Sequence, residues 1–355
     1  IDSDRRAMIL YTSGTTNLPK GVVITHKNIE AQVTTLVEAW QWSKGDHILC
    51  VLPLHHVHGI VNVMSCALWS GACCEFLPSF SPEEVFNLFR EGRINVFMAV
   101  PTIYFKLISY WERLPTGEQN RLSACMQKFR LMVSGSAALP VTVMEKWETI
   151  SGHRLLERYG MTEIGMALSN PYGGERKAGY VGLPLPGVEV RLVSERYEDV
   201  VDEAGEILVK GNNVFSEYWN KPDTTRASFI DDWFKTGDIA VIEKGYYRIL
   251  GRNSTDIIKS GGYKISALEI EEVLRSHPYI KDCAVVGVEN EEWGELVAAV
   301  LLLKEAIQPE DLDGWLREKL PAYKLPRKYK IVTELPLNAM GKVVKAEVKK
   351  LFMGE

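Results

Sequence analysis

Short apolar runs alternate with helical patterns along the first half of the chain, and this limits the fold more than any other feature. Ile48–Leu52, Val96–Val100 and Arg130–Val133 are brief and apolar, as buried strands are. Between and after them, Pro82–Arg90, Thr102–Trp111 and Val141–Ile150 read as helices, the last opened by Pro140. Earlier, Ala7–Tyr11 and Val22–Ile24 read as strands. Ile29, Val33, Leu36, Val37 and Trp40 then fall at i, i+4, i+7, i+8 and i+11, one face of a helix. Strands that alternate with helices predict an α/β fold, a sheet with helices on its faces. With 355 residues, 46% apolar and 25% charged, the chain can bury such a core without disulfide or metal staples, in two or three domains.

The pattern changes near Val181. Val188–Val193, Gly205–Val209 and Tyr246–Leu250 are strand-like runs between Gly, Pro and Asp turns, which predicts a small β-rich subdomain over about 181–251. From Arg252 to Glu355 a compact α+β unit is expected. There Ser266 and Glu269 have capping-box spacing ahead of Ile270, Val273 and Leu274. Ala284–Val288, Leu296–Leu303 and Tyr329–Val332 read as strands, Pro309 opens a helix, and a basic helix follows from Lys345. The uncharged stretch Gly59–Cys74 is 16 residues long, too short to span a membrane, and is expected to be a core helix. The six cysteines form no CxxC pair and read as mostly buried thiols of a reducing compartment. A net charge of −5 supplies no basic field for a nucleic acid. The chain starts at Ile1, without Met, ten residues before a dense motif, so an N-terminal part is expected to be missing.

That motif is YTSGTTNLPKG, Tyr11 to Gly21. The hydroxyls of Thr12, Ser13, Thr15 and Thr16, the bare backbone of Gly14 and the charge of Lys20 suit phosphate oxygens. Pro19 before the lysine and Gly21 after it exclude a Walker A loop. Taken alone, the stretch reads equally as a flexible Ser/Thr loop. Glu163, after a polar turn Tyr159–Thr162, could hold Mg²⁺ through a triphosphate or be a solvated loop acid. Asp238, after a Thr236-Gly237 turn, could accept from a diol or cap a helix or turn, and Lys342 could act chemically or be a surface lysine.

Together and in this order, the motifs resemble the adenylate-forming superfamily of acyl-CoA synthetases, adenylation domains and firefly-type luciferases. The resemblance runs over the whole chain and implies that family's incomplete large domain followed by a small mobile domain. It implies ATP, Mg²⁺ and coenzyme A as the groups bound. YGMTE places Tyr159 and Gly160 at adenine, Thr162 at phosphate and Glu163 at Mg²⁺. SGSA places Ser134, Gly135, Ser136 and Ala137 along the adenine pocket, and TGD places Asp238 at the ribose. GRNSTDIIKSGGYKIS implies a hinge near 252–256, with Arg252 at the nucleotide and Lys259, Gly261 and Gly262 along the pantetheine arm. NAMGKVVK makes Lys342 the catalytic lysine. Asn17 departs from the family's usual glycine, and the hinge stretch carries an extra residue before Asp256.

Within the superfamily, ERYGMTE, VSGSAALP, SALEIE and the run Asn170–Val190 resemble the malonyl-CoA synthetase group. Arg158, beside Tyr159, could clamp a second carboxylate on the acid, with Ser134, His56 and His58 of HHVHG near the acyl entrance. The implied reaction joins malonate to AMP with loss of pyrophosphate and then to coenzyme A, in mitochondria. A ligase of another short or dicarboxylic acid, such as methylmalonate, and a non-catalytic nucleotide-binding domain are the alternatives.

Overall fold

The computed structural model describes residues 1–12, 19–337 and 343–353, with only the backbone of 309 and 310. The chain divides into two compact units. The larger holds Ile1–Thr236 and Ile242–Arg248, and the smaller holds Gly237–Val241 and Ile249–Glu355.

A seven-stranded sheet organises the larger unit. Its order is Cys73–Phe76, His47–Cys50, Val96–Ala99, Leu131–Ser134, Leu156–Met161, Gly165–Ser169, Leu183–Pro184. The first five strands are parallel and the last two pairings antiparallel. Parallel strands need crossovers, and the predicted helices supply them at Pro82–Arg90, Pro101–Trp111 and Val141–Ser151. The first of these starts where the sequence says it should. The Ser81 side chain accepts from Glu84 N–H, and Pro82 follows. Phe86, Phe89, Phe97, Phe129, Tyr104 and Trp147 fill the space between these helices and the sheet. Phe89 meets Phe97 and Phe129 edge-on at centroid distances of 5.2 and 4.7 Å.

Three expectations are corrected. Gly59–Cys74 is no single α-helix: His58–Ser65 is a π-helix, with Cys66 N–H reaching Val61 C=O, and a short α-helix Cys66–Trp69 follows. Thr236-Gly237-Asp238 is no turn but lies inside the strand Trp233–Glu243, with Gly237 at φ +74°. Only three of the six cysteines are buried: Cys73 is exposed, and Cys74 and Cys125 are half-buried. No helix among the described residues is long and apolar enough to cross a membrane.

Arg6–Thr12, Lys20–Thr25 and Glu217–Tyr218 form an antiparallel three-stranded sheet. Val188–Val193, Gly205–Gly211, Trp233–Glu243 and Phe229–Ile230 form a further sheet, with Tyr246–Arg252 beside Trp233–Glu243. In the smaller unit the order is Tyr263–Ser266, Ile257–Ser260, Gly294–Leu303, Ile280–Asn290, with Lys328–Val332 parallel to Gly294–Leu303. Its sheet is buried on both faces because apolar residues alternate to opposite sides. Cys283, Val285, Val297 and Ala299 pack with the helix Ala267–Arg275, and Ala284, Val286, Ala298 and Val300 pack with Val348 and Phe352. The capping box is only half made as predicted. Ser266 Oγ accepts from Glu269 N–H, while the Glu269 carboxylate takes the Lys324 ammonium at 2.7 Å.

Phe89→Ala should cost about 3–5 kcal/mol by emptying the aromatic cluster. Phe105→Ala, on the exposed side of Pro101–Trp111, should stay within about 0.5 kcal/mol of the parent. Denaturant midpoints of the two variants check both.

Candidate active site

The carboxyl ends of the parallel strands are where an open α/β sheet binds ligands. Two groups of side chains gather at these ends, and the strand Leu156–Met161 serves both.

The first group surrounds Glu163. Leu156–Met161 and Gly165–Ser169 pair antiparallel, with Met161 opposite Gly165, so residues 162–164 form the connecting turn. The Glu163 side chain is buried, and its Oε1 accepts from the Tyr218 hydroxyl at 2.9 Å. The Lys20 ammonium lies 5.1 Å above the ring of the same Tyr218. Tyr218 therefore joins the lysine that closes the phosphate motif to the acid of YGMTE. Thr12 sits opposite Lys20 in the strand register. Ser13, Gly14, Thr15 and Thr16 lie outside the described residues.

The turn is held from behind. Phe215 N–H donates to Glu163 C=O at 2.7 Å, and Asn213 Nδ2 donates to Ile164 C=O at 2.6 Å. Gln32 Oε1 accepts from Met166 N–H at 2.5 Å, and a Cβ on Gly165 would fall 1.7 Å from that oxygen. Asn28 is reciprocally bonded to Thr25 at the start of its helix and also donates to Asn212 and Val214 carbonyls at 2.8 and 2.7 Å. The predicted apolar face of this helix is thus interrupted by two buried polar residues, Asn28 and Gln32, that serve the site. Periodicity alone gave no reason to select them, nor to select Tyr218.

The second group surrounds Arg158. It is 3% exposed, and among the described residues no carboxylate forms an ion pair with it. Its Nη2 donates to Ser136 Oγ at 3.3 Å, and Ser136 Oγ lies 3.2 Å from His58 Nδ1. A Cβ on Gly135 would fall 2.5 Å from the guanidinium, so only glycine leaves it this place. Burial pulls the Arg158 guanidinium down to about 9, against the opposing pull of the Glu157 charge, and it stays protonated at neutral pH. Burial, and then the Arg158 charge, hold His58 well below its usual value, so this imidazole is neutral. Arg158 Nε, His58 Nε2, Ser134 Oγ and both amide atoms of Asn62 are buried without a hydrogen-bond partner among the described residues. Of the predicted imidazoles, His58 is in the cluster, whereas the ring of His56 lies against His55 at 4.3 Å. Ala137 continues the segment from Ser136, which has φ +69°.

The smaller unit carries the remaining predicted residues. Asp238 Oδ1 accepts from Arg252 Nε at 3.0 Å. Lys259 is exposed on a hairpin whose two-residue turn, Gly261-Gly262, has φ +56° and +83°. The space beside Gly261 is taken by Trp293, whose ring a Cβ would meet at 2.9 Å, while the space beside Gly262 is open. Lys342 lies outside the described residues.

The sequence signature of the AMP-binding enzyme family matches residues 1–219, and that of the AMP-binding enzyme C-terminal domain matches 269–342. This chain belongs to the AMP-binding enzyme family. It is 51% identical to the mitochondrial malonate–CoA ligase ACSF3 of Bos taurus over 99% of its own length and 65% of that protein's. It is 48% identical to the malonate–CoA ligase of Arabidopsis thaliana over 98% of its own length and 61% of that protein's. The chain thus spans somewhat under two thirds of these curated relatives. The crystal structure of ATP-bound MatB from Rhodopseudomonas palustris matches with a TM-score of 0.92 at 36% identity, over all of this chain and 69% of that one.

The turn 162–164 holds one carboxylate, Glu163. No group of three or more metal-ligating side chains occurs among the described residues. That donor set fits Mg²⁺ held mainly by nucleotide oxygens and water, with a single protein carboxylate. It does not fit a metal caged by protein alone.

His58 gives a pH prediction. Its folded pKa is below the unfolded value, so as pH falls through about 6.5 the unfolded state gains a proton that the folded state does not. Stability should fall by up to about 1.4 kcal/mol per pH unit in that window. His58→Gln should reduce this slope in denaturation measured from pH 7.5 to 5.5. Part of the slope should persist, since burial lowers His153 and His277 in the same direction.

Proposed function

We propose that the protein is a malonate–CoA ligase that activates malonate with ATP and transfers it to coenzyme A. Arg158 carries the reading. A protonated guanidinium buried with no carboxylate partner among the described residues is costly, and an anionic ligand offsets that cost. Malonate has the carboxylate that Arg158 would clamp and a second one left free to react. The names of the bovine and Arabidopsis relatives agree with this choice, and the bovine name supports a mitochondrial location.

In the first step a malonate carboxylate oxygen attacks the α-phosphorus of ATP, and pyrophosphate leaves. Lys20 and Lys342 would stabilise the charge that develops on the transferring oxygens. Glu163 would hold Mg²⁺, which would neutralise phosphate charge, and Thr162 would touch the phosphate. Tyr159, Gly160 and the segment Ser134–Ala137 would line the adenine, and Asp238, bonded to Arg252, would take the ribose hydroxyls. In the second step the coenzyme A sulfur attacks the acyl carbon, the thiol proton is released, and AMP departs. Lys259, Gly261 and Gly262 would guide the pantetheine arm, and the turn at 252–256 would be the hinge between a large domain ending near 251 and a small one beginning at 252. His56 would contribute only at the outer edge of the acyl site, with His58 and Ser134 inside it.

Arg158→Met should lower kcat/KM for malonate at least roughly 30-fold while leaving ATP affinity within a few fold. Malonate-dependent pyrophosphate release by the full protein measures this, and undiminished turnover would overturn the clamp. Methylmalonate, differing by one methyl, should be discriminated by no more than about 1–3 kcal/mol. Gly135→Ala should raise the KM for malonate in the same assay by pushing the guanidinium out of place.

A further inference from the structure

The residue three positions after Lys342 is buried in a cluster of charges that the reaction above does not use. Lys345 opens the helix Lys345–Lys350. Its ammonium donates to Glu271 Oε1 and, at 2.6 Å, to Val285 C=O. It also lies 3.8 Å from Asp256 Oδ1. The Glu271 side chain is 4% exposed, and it also accepts from Val285 N–H at 2.8 Å and Arg275 Nη2 at 3.2 Å. The Lys345 side chain is 13% exposed. Asp256 in turn accepts from Arg252 N–H at 3.0 Å, within the turn proposed as the hinge. One ammonium therefore ties together the helix Ala267–Arg275, the strand Ile280–Asn290, the turn 252–256 and the chain leaving Lys342.

The segment is pinned on its other side as well. Leu337 pairs antiparallel with Val343, and Val344 N–H donates to Pro336 C=O at 2.8 Å. The two ends of the stretch 338–342 are thereby held side by side, one residue from Lys345. Such a short exposed pairing is weak by itself. A buried charge cluster bonded from several elements has few alternative arrangements, so it can hold the chain to a fixed place.

We propose that Lys345, through Glu271 and Asp256, is a positioning residue for Lys342 in the adenylate-forming step. This rests on the function proposed above, which assigns Lys342 to that step alone. Lys345 touches no substrate. Its effect is to hold the backbone from Val343 onward, next after Lys342, and a displacement of about 1 Å at a catalytic group can cost about 100-fold in rate.

The test uses the full protein and reads the two half-reactions separately. These are malonate-dependent pyrophosphate release, and malonyl-CoA formation from preformed malonyl-adenylate and coenzyme A. Lys345→Met alone leaves the buried Glu271 carboxylate with Arg275 as its one cationic partner among the described residues, and can prevent folding. The paired variant Lys345→Met/Glu271→Gln removes both charges and is the informative one. Pyrophosphate release should fall about 10- to 100-fold in the paired variant. Thioester formation should stay within about twofold, since Lys342 is not used there. Lys345→Arg, which keeps the charge, should recover most of the lost rate. A folded paired variant with undiminished pyrophosphate release, or with both half-reactions reduced alike, overturns the proposal. Lys342→Ala run alongside separates the two readings: if it spares pyrophosphate release, the role given to Lys342 has failed, and if it abolishes release while the paired variant does not, only the role of Lys345 has.

Discussion

A guanidinium buried with no carboxylate partner among the described residues is a stored cost, and the larger unit holds one. Arg158 lies on the strand Leu156–Met161, in register opposite Ser169, deep enough to be 3% exposed. Other features of the site follow from keeping it there. Glycine at 135 leaves the guanidinium its place, which a Cβ there would force it to leave. His58 is neutral first because it is buried, and then because a second cation beside a buried first one is unfavourable. Ser136 takes a left-handed backbone angle and presents its hydroxyl to both. A region that concentrates a positive charge and unpartnered polar atoms has chemistry suited to a small anion.

Glu163 is fixed by different means. It follows the same strand by two residues, yet its surroundings come from segments far away in sequence. Gln32 holds the backbone after the turn, residues 213 and 215 hold the backbone within it, and Asn28 holds the loop that carries them. Backbone carbonyls and amides held at several points leave an acid little freedom to move. Tyr218 adds an electrostatic link, since its hydroxyl meets Glu163 and its ring faces Lys20.

Where local chemistry was strong, the sequence could be read directly. Pro82–Arg90 has a serine cap, a proline at its first position and phenylalanines on one face, and it forms over those residues. Thr116–Met126 escaped notice because it is polar and buries only Leu122 and Met126. The π-helix His58–Ser65 was invisible for a different reason, since its bonding shifts by one residue and breaks the 3.6-residue period on which helices are recognised. Thr236-Gly237-Asp238 has turn-like composition, but the surrounding Trp233–Glu243 alternates buried and half-buried residues as a strand should. Gly237 there accommodates a positive φ inside the ladder.

By itself the sequence determined the alternating α/β pattern, the motif residues and the presence of an arginine beside the tyrosine of YGMTE. These depend on residue type and on spacing along the chain, which are local. Only the tertiary structure decided that Arg158 is buried without a carboxylate partner among the described residues, that Gly135 is the price of its position, that Tyr218 joins Lys20 to Glu163, and that Lys345 shares a buried carboxylate with Val285 and Arg275. Burial and charge pairing arise where segments distant in sequence meet, and no local pattern records which of them will.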